Sequence, residues 1–302
     1  MSETPTPPEA GPEAGKVSMK NAAVTFVYNE SFNLPSWIRY FGSQFGNANL
    51  FVVDLGTNDG STDDLQDVNR IVLPRDEFDE YARTNFINFL QQGLLNYYDT
   101  VIYTDADELV VPDPALFPDL RTYLEQTTFD YTACVGLNIV HMLNREQPLD
   151  VRKPILHQRR FARFLSASCK PCVSRVPMNW SPGFHGSDKP PKIDPALYLF
   201  HTKWMDYSLA MQRQKVSREA VYSKRTIEQG MRAHSRYDYD RFVREGFFDP
   251  INEMMKGGVA EFEFSAEIGA INAGVTAFSG VHFIPMNISK IVEIPERFKA
   301  AF

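Results

Sequence analysis

The stretch Thr100–Pro112, TVIYTDADELVVP, is a run of apolar β-formers that closes on four residues, Asp105-Ala106-Asp107-Glu108. A buried strand that carries two carboxylates one residue apart to its C-terminal end suits the ligand crevice of an open α/β sheet, where a divalent cation can be held. If extended geometry persists through Asp107, Asp105 and Asp107 point to one side, Ala106 to the other, and Tyr103 shares the carboxylates' face. Two hard oxygen ligands then hold one Mg²⁺ or Mn²⁺ and leave positions for water and a substrate diphosphate. The bland alternative is a solubilising strand end or a helix cap. Context separates the two readings: Asp238-Tyr239-Asp240 has the same form, but it lies in the polar segment RYDYDRFVRE and reads as a solvated turn.

Outward from this strand the pattern alternates. A first strand is expected at 22–28, then a helix at 34–45 on which Leu34, Trp37, Ile38, Phe41 and Phe45 form one apolar stripe. A strand at 49–54 breaks into the loop LGTNDGSTDD, and a short strand follows at 70–73. A long helix at 78–97 leads into the acidic strand, with a helix at 114–126 and a strand at 131–141 beyond it. This order predicts an α/β fold: a Rossmann-like, mostly parallel sheet with helices on both faces. Past Arg145 proline and basic residues interrupt the periodicity. Two strands are expected within 157–177, a loop at 181–191 and a strand at 196–201 that ends in HTKW. From Asp206 to about Lys256 the chain reads as helical, and Arg213, Lys215 and Arg218 read as a wet helix face. The expected organisation is a tail at 1–19, a catalytic unit at 20–205 and a helical C-terminal part at 206–302 that forms the acceptor side.

With 302 residues and 43% hydrophobic content, the chain can bury a full core. Its 31 basic against 38 acidic residues, a formal charge of −7, give no general attraction to nucleic acid or an anionic membrane. No apolar run reaches the roughly 20 residues that cross a bilayer, and no signal sequence opens the chain, so a cytoplasmic protein is expected, at most peripheral to the inner membrane. Cys169 and Cys172 bracket Lys170-Pro171, but no second ligand pair follows, and they read as a chance pair. Residues 1–19 are rich in Pro, Glu and Gly, and disorder is expected there.

The loops after the strands then meet a known pattern. VTFVYNE ends the first strand with Asn29-Glu30, Trp37 lies on the first helix, DLGTNDGS follows the second strand, Arg83-x-Asn85 precedes the acidic strand, and DADE closes it. In that order and spacing the chain resembles family 2-like glycosyltransferases of the GT-A fold, in a bacterial branch related to family 92. The resemblance spans about residues 20–112 and returns in LFHTKW at 199–204. It implies a nucleotide-sugar donor, UDP- or GDP-linked, over the C-terminal ends of the strands, and Mn²⁺ or Mg²⁺ as cofactor. Asn29, Glu30, Asp54, Asp59, Arg83, Asp105 and Lys203 are the implied donor contacts, Asp54 at the base or ribose and Lys203 at phosphate. Asp105, Asp107 and His201 are the implied metal ligands. His185 rivals His201 in that role, and the sequence leaves the two open. Gly56 and Gly60 also suit a turn, and Asp59 also suits a helix cap.

The expected activity is hexosyl transfer to a hydroxyl of a glycan or glycolipid acceptor, in polysaccharide or glycolipid assembly. The implied outcome is inverting, with Asp188 or His185 as the base. The alternatives are a non-catalytic sugar-nucleotide-binding scaffold on the same fold and, further behind, a metal-dependent phosphatase.

Overall fold

The structure is a computed structural model that describes residues 19–74, 77–230 and 241–302. The tail expected at 1–19, but for Met19, and the pair Asp238 and Asp240 lie outside the described residues.

Strand β1 (Asn21–Val27) leads to α1 (Asn33–Phe45), and β2 (Leu50–Asp54) and β3 (Asn69–Val72) follow. Then come α2 (Glu80–Leu94), β4 (Thr100–Tyr103), β5 (Glu108–Pro112), α3 (Leu120–Gln126) and β6 (Tyr131–Ile139). The strands β3-β2-β1-β4 lie side by side and parallel. The chain thus moves from β1 outward to β3 and returns to the opposite flank of β1 with β4. That reversal opens a crevice beyond the carboxyl ends of β1 and β4.

The fold is α/β, with helices on both faces of the sheet. Period-two alternation decides which residue meets which helix. Ala23, Val52 and Ile102 share a core with Trp37 and Phe41 of α1, while Ala22, Val53, Val101 and Tyr103 pack with Ile87 and Leu94 of α2. The α2 helix starts two residues later than its apolar pattern suggests, because Asp79 caps it by accepting from Ala82 N at 2.8 Å. Likewise α3 starts only after Asp119, whose carboxylate accepts from Thr122 N at 2.7 Å.

The second half of the sheet mixes directions. It contains β7 (Phe161–Leu165) and β8 (Val173–Ser174), both antiparallel to β6. Strand β9 (Gly186–Ser187) lies within the stretch expected to be a loop. Strand β10 (Ile193–His201) runs parallel to β6 and antiparallel to β5, with a register shift between Asp194 and Tyr198. Its C-terminal end therefore reaches the same rim as β1 and β4.

The remainder holds α4 (Tyr207–Glu219), α5 (Lys224–Glu228), a π-helical segment (Arg241–Phe248), α6 (Asp249–Lys256) and α7 (Ser265–Ala273). Three strands, not only helices, complete it: β11 (Thr276–Phe278), β12 (Val281–Phe283) and β13 (Ser289–Glu293). β11 and β12 form a small sheet with β9, and β13 pairs with β7 in the main sheet. Phe264, Ile271, Val292 and Phe298 pack in the same core as Trp37. Among the described residues no helix is long and apolar enough to cross a membrane.

Candidate functional site at the carboxyl rim of the sheet

Extended geometry does not persist through Asp107. Strand β4 stops at Tyr103, and Asp105-Ala106-Asp107-Glu108 form a tight turn closed by Glu108 N donating to Asp105 O at 3.0 Å. The turn sends the two carboxylates to different partners. Trp37 Nε1 donates to Thr104 Oγ1 at 2.8 Å, and Asp107 O accepts from Thr202 N at 2.8 Å and Thr202 Oγ1 at 3.0 Å, so α1 and β10 both pin it.

Asp105 stays on the face of Tyr103, whose hydroxyl donates to Asp105 Oδ1 at 3.3 Å. Arg83 from α2 donates to the same oxygen and to Tyr103 Oη, the latter at 2.7 Å. Lys170 Nζ takes Asp105 Oδ2 at 3.1 Å and Glu108 Oε1 at 2.7 Å. Burial opposes ionisation of Asp105, but Lys170 and Arg83 outweigh it and hold the carboxyl well below the usual range. Burial likewise opposes charge on Lys170, and Asp105 and Glu108 raise it above an ordinary lysine.

Asp107 faces His201 instead. Its Oδ2 lies 3.2 Å from His201 Nε2, while His201 Nδ1 lies 2.8 Å from Asn138 Oδ1. Burial raises the Asp107 carboxyl, and His201 overrides it to leave it at about 2. With Asn138 Oδ1 assigned as the acceptor, the ring proton is on Nδ1. Nε2 and Oδ2 then face each other at a spacing that a shared cation could bridge.

Of these groups Arg83, Asp105 and Asp107 border a cleft of about 220 Å³, which Phe26, Phe78 and Lys203 also line. Lys203, just past β10, lies 5.2 Å over the Trp204 ring, and burial lowers its pKa. Among the described residues no acceptor lies within hydrogen-bond or ion-pair distance of its ammonium. The Arg83 guanidinium stacks over Phe184 at 4.9 Å and Phe26 at 5.3 Å, and its buried Nε has no partner among the described residues. It also meets Glu80, three residues earlier on α2, at 3.4 Å.

The remaining expected residues divide by access. Asp54 is fully buried: Oδ1 accepts from Thr57 N at 2.8 Å, and Oδ2 accepts from Thr62 Oγ1 at 2.9 Å and from Arg70 at 2.7 Å. It ties its own loop together and does not line the cleft, whereas a donor contact was expected of it. Asp59 accepts from Ser61 Oγ at 2.6 Å and borders a second cavity of about 160 Å³. Asn29, in left-handed conformation at φ 51°, clasps that loop through Asn58 Oδ1 at 2.9 Å and Asn58 N at 3.0 Å. Glu30 lies in both cavities, and burial raises its carboxyl to about 7 against the pull of Arg213.

His185 and Asp188 are not equivalent. Both Asp188 oxygens accept from Asn179, its N and Nδ2, at 3.0 Å, so Asp188 fixes its loop. His185 must carry its proton on Nδ1, which meets the Ala167 carbonyl at 2.7 Å, and Nε2 keeps its lone pair. Burial and then Lys170 lower His185 to about 4. It follows Phe184, buried and held at φ 60° against Tyr103, a strained backbone next to the site.

Lys170 and Arg213 are the functional-site residues that sequence reasoning missed. Lys170 sits between cysteines that drew attention as a pair, yet Cys134, Cys169 and Cys172 are all buried core thiols. The turn they anchor delivers the lysine. Among the described residues no group of three or more His, Cys, Asp or Glu side chains is gathered to hold a metal ion.

No family model and no curated protein matches the chain. Solved structures to which it is similar include a mannose-1-phosphate geranyltransferase from Thermus thermophilus, at 11% identity and TM-score 0.29 over 76% of this chain and 68% of that one. A second is the mannosyltransferase Ktr4p from S. cerevisiae, at 14% identity and TM-score 0.25 over 46% of each chain. A third is the mannosyltransferase PcManGT from Pyrobaculum calidifontis in complex with GDP-Man and Mn²⁺, at 12% identity and TM-score 0.29 over 89% of this chain and 83% of that one. At such identities and TM-scores the likeness carries no argument about fold or chemistry.

Proposed function

We propose that the chain is a glycosyltransferase that takes its sugar from a nucleotide-diphosphate donor with the help of a divalent cation. The observation that carries this reading is the facing pair of Asp107 Oδ2 and His201 Nε2 at 3.2 Å, of which Asp107 lines the cleft together with Lys203. Adjacent ligands at metal–ligand distances of about 2.1 Å stand roughly 3 Å apart, so the pair fits Mg²⁺ or Mn²⁺. Such ions need only one or two protein ligands when water and substrate phosphate supply the rest. Asn138 would fix the ring of His201 so that Nε2 presents its lone pair. Asp105, held between Arg83 and Lys170, is a support of the rim and not a ligand in this reading.

A cation bound there supplies Lewis-acid stabilisation to the departing diphosphate. Lys203 offers that leaving group a second, fixed positive charge, and the Arg83 guanidinium, which also lines the cleft, adds to the positive potential there. The aromatic walls formed by Phe26, Phe78 and Tyr222 exclude water from the donor. We assign His185 Nε2 to the acceptor hydroxyl, in an inverting transfer, because Asp188 is engaged by Asn179.

The test is calorimetric titration of GDP and UDP with and without Mn²⁺ into the parent protein, Asp107→Ala and His201→Ala. Manganese-dependent binding to the parent and its loss, by tenfold or more, in both variants is expected. Unchanged nucleotide uptake by Asp107→Ala sinks the proposal.

A further inference from the structure

The cleft and the second cavity adjoin and share part of their lining. Arg213, on α4, lies in the lining of both, together with Glu30, Lys203 and Val216. Its Nη2 meets Glu30 Oε1 at 2.5 Å, and its Nη1 donates to Tyr28 O at 3.1 Å and Asn29 O at 3.4 Å. The guanidinium thus reaches from the helix to the loop that ends β1. At about 220 and 160 Å³, each chamber falls below the roughly 300 Å³ that ligand sites usually need. Merged, they exceed it.

The helix that carries Arg213 is held unevenly along its length. Its start is firmly anchored: Asp206 caps it by accepting from Ser208 N at 2.9 Å and Leu209 N at 3.2 Å, and Arg159 holds Asp206 at 3.1 Å in a buried pair. Beyond that anchor only Ala210 and Gln214 of α4 are buried. Val216 and Ser217 lie over the cleft.

We propose that Arg213 is a donor-responsive clasp: it holds Glu30 and the β1 loop in the free protein and passes to the donor's diphosphate when that enters. The exchange is between anions. A diphosphate offers a guanidinium fork more charge than one carboxylate does, and the transfer withdraws one of the four side chains that the two chambers share. Detaching Arg213 from Glu30 is the cost that lowers apparent affinity in the parent, by the fraction of molecules with the clasp open. This inference rests on the nucleotide-binding reading above.

The experiment measures dissociation constants of GDP and UDP, and of guanosine and uridine, with Mn²⁺ for the parent, Glu30→Gln and Arg213→Gln. Glu30→Gln is expected to bind the diphosphates several-fold tighter, up to about tenfold, because the competing carboxylate is gone. Arg213→Gln is expected to weaken the diphosphates about tenfold or more and to leave the nucleosides unchanged. A purely structural staple would weaken all four ligands in both variants, and that result overturns the clasp. If Glu30→Gln fails to fold by circular dichroism, the diphosphate-to-nucleoside contrast in Arg213→Gln decides, and equal losses overturn it. A parent that binds no nucleotide removes the transferase reading and the clasp with it. A parent that binds while Glu30→Gln gains nothing removes the clasp alone.

Discussion

His185 stays neutral in the fold down to about pH 4, against an ordinary value of 6.5, because burial and the nearby Lys170 oppose its charge. As pH falls from 6.5 towards 4, the unfolded chain takes up this proton and the folded chain does not. Stability from this group is therefore full above 6.5 and is lost on acidification, by a total on the order of 3 kcal/mol. His185→Gln can still donate to the Ala167 carbonyl, so urea unfolding of the variant is expected to show a shallower loss across that window than the parent. Parallel curves for the two proteins would refute the assignment. At this scale the sequence was informative wherever chemistry stood at the end of an apolar strand: Asp105, Asp107, His201 and Lys203 all reach one rim. It was silent on Lys170 and Arg213, which look like ordinary basic residues until the fold brings Asp105 and Glu30 to them. Asp54 misled for the opposite reason. A carboxylate at a strand end can close its own loop as readily as it can meet a ligand.

The start of α2 shows how an element's cap also builds the cleft wall. Asp79 accepts from Ala82 N at 2.8 Å, Ser223 Oγ at 2.8 Å and Arg225 at 2.7 Å, so one carboxylate both caps the helix and docks α5. The backbone of Phe78 pairs with that same segment: its N–H donates to Val221 O at 2.7 Å, and its carbonyl accepts from Ser223 N at 3.0 Å. Phe78 and Tyr222, rings 5.6 Å apart, then face the cleft. Asp79→Ala is expected to lower stability by about 1–2 kcal/mol through the lost cap. It should also weaken nucleotide binding through the loosened aromatic wall. Thermal unfolding checks the first effect and calorimetry the second, and a variant with parental values in both would separate α5 from the site. Helix and strand identity up to β6 follows from periodicity, but the turn at Asp105 does not, since a strand end that carries carboxylates and a tight turn between two buried strands show the same polar break in an apolar run.

Across the whole molecule, the expected division at 205/206 meets a continuous core. β13 pairs with β7, and Phe264, Val292 and Phe298 pack with residues of α1 and β10. A chain cut to residues 20–205 would leave one flank of that core open to water. It is expected to aggregate or to lack a cooperative transition, while the full chain unfolds in a single step seen alike by fluorescence and circular dichroism. A soluble, cooperatively folding 20–205 fragment would instead establish two units. The C-terminal strands escaped the sequence reading because each is three to five residues long, and β12 and β13 pair with β9 and β7, far away in the chain.

Register has one more consequence. His201 stands opposite Glu108 and beside Asn138 in neighbouring strands, so its side of the sheet is set by residue count along β10. The irregularity between Asp194 and Tyr198 interrupts that count. An extra residue ahead of it can be taken up as slack, whereas one inserted between Leu199 and His201 would turn the imidazole to the opposite surface. Length changes in this strand are thus tolerable upstream and ruinous over its last few positions.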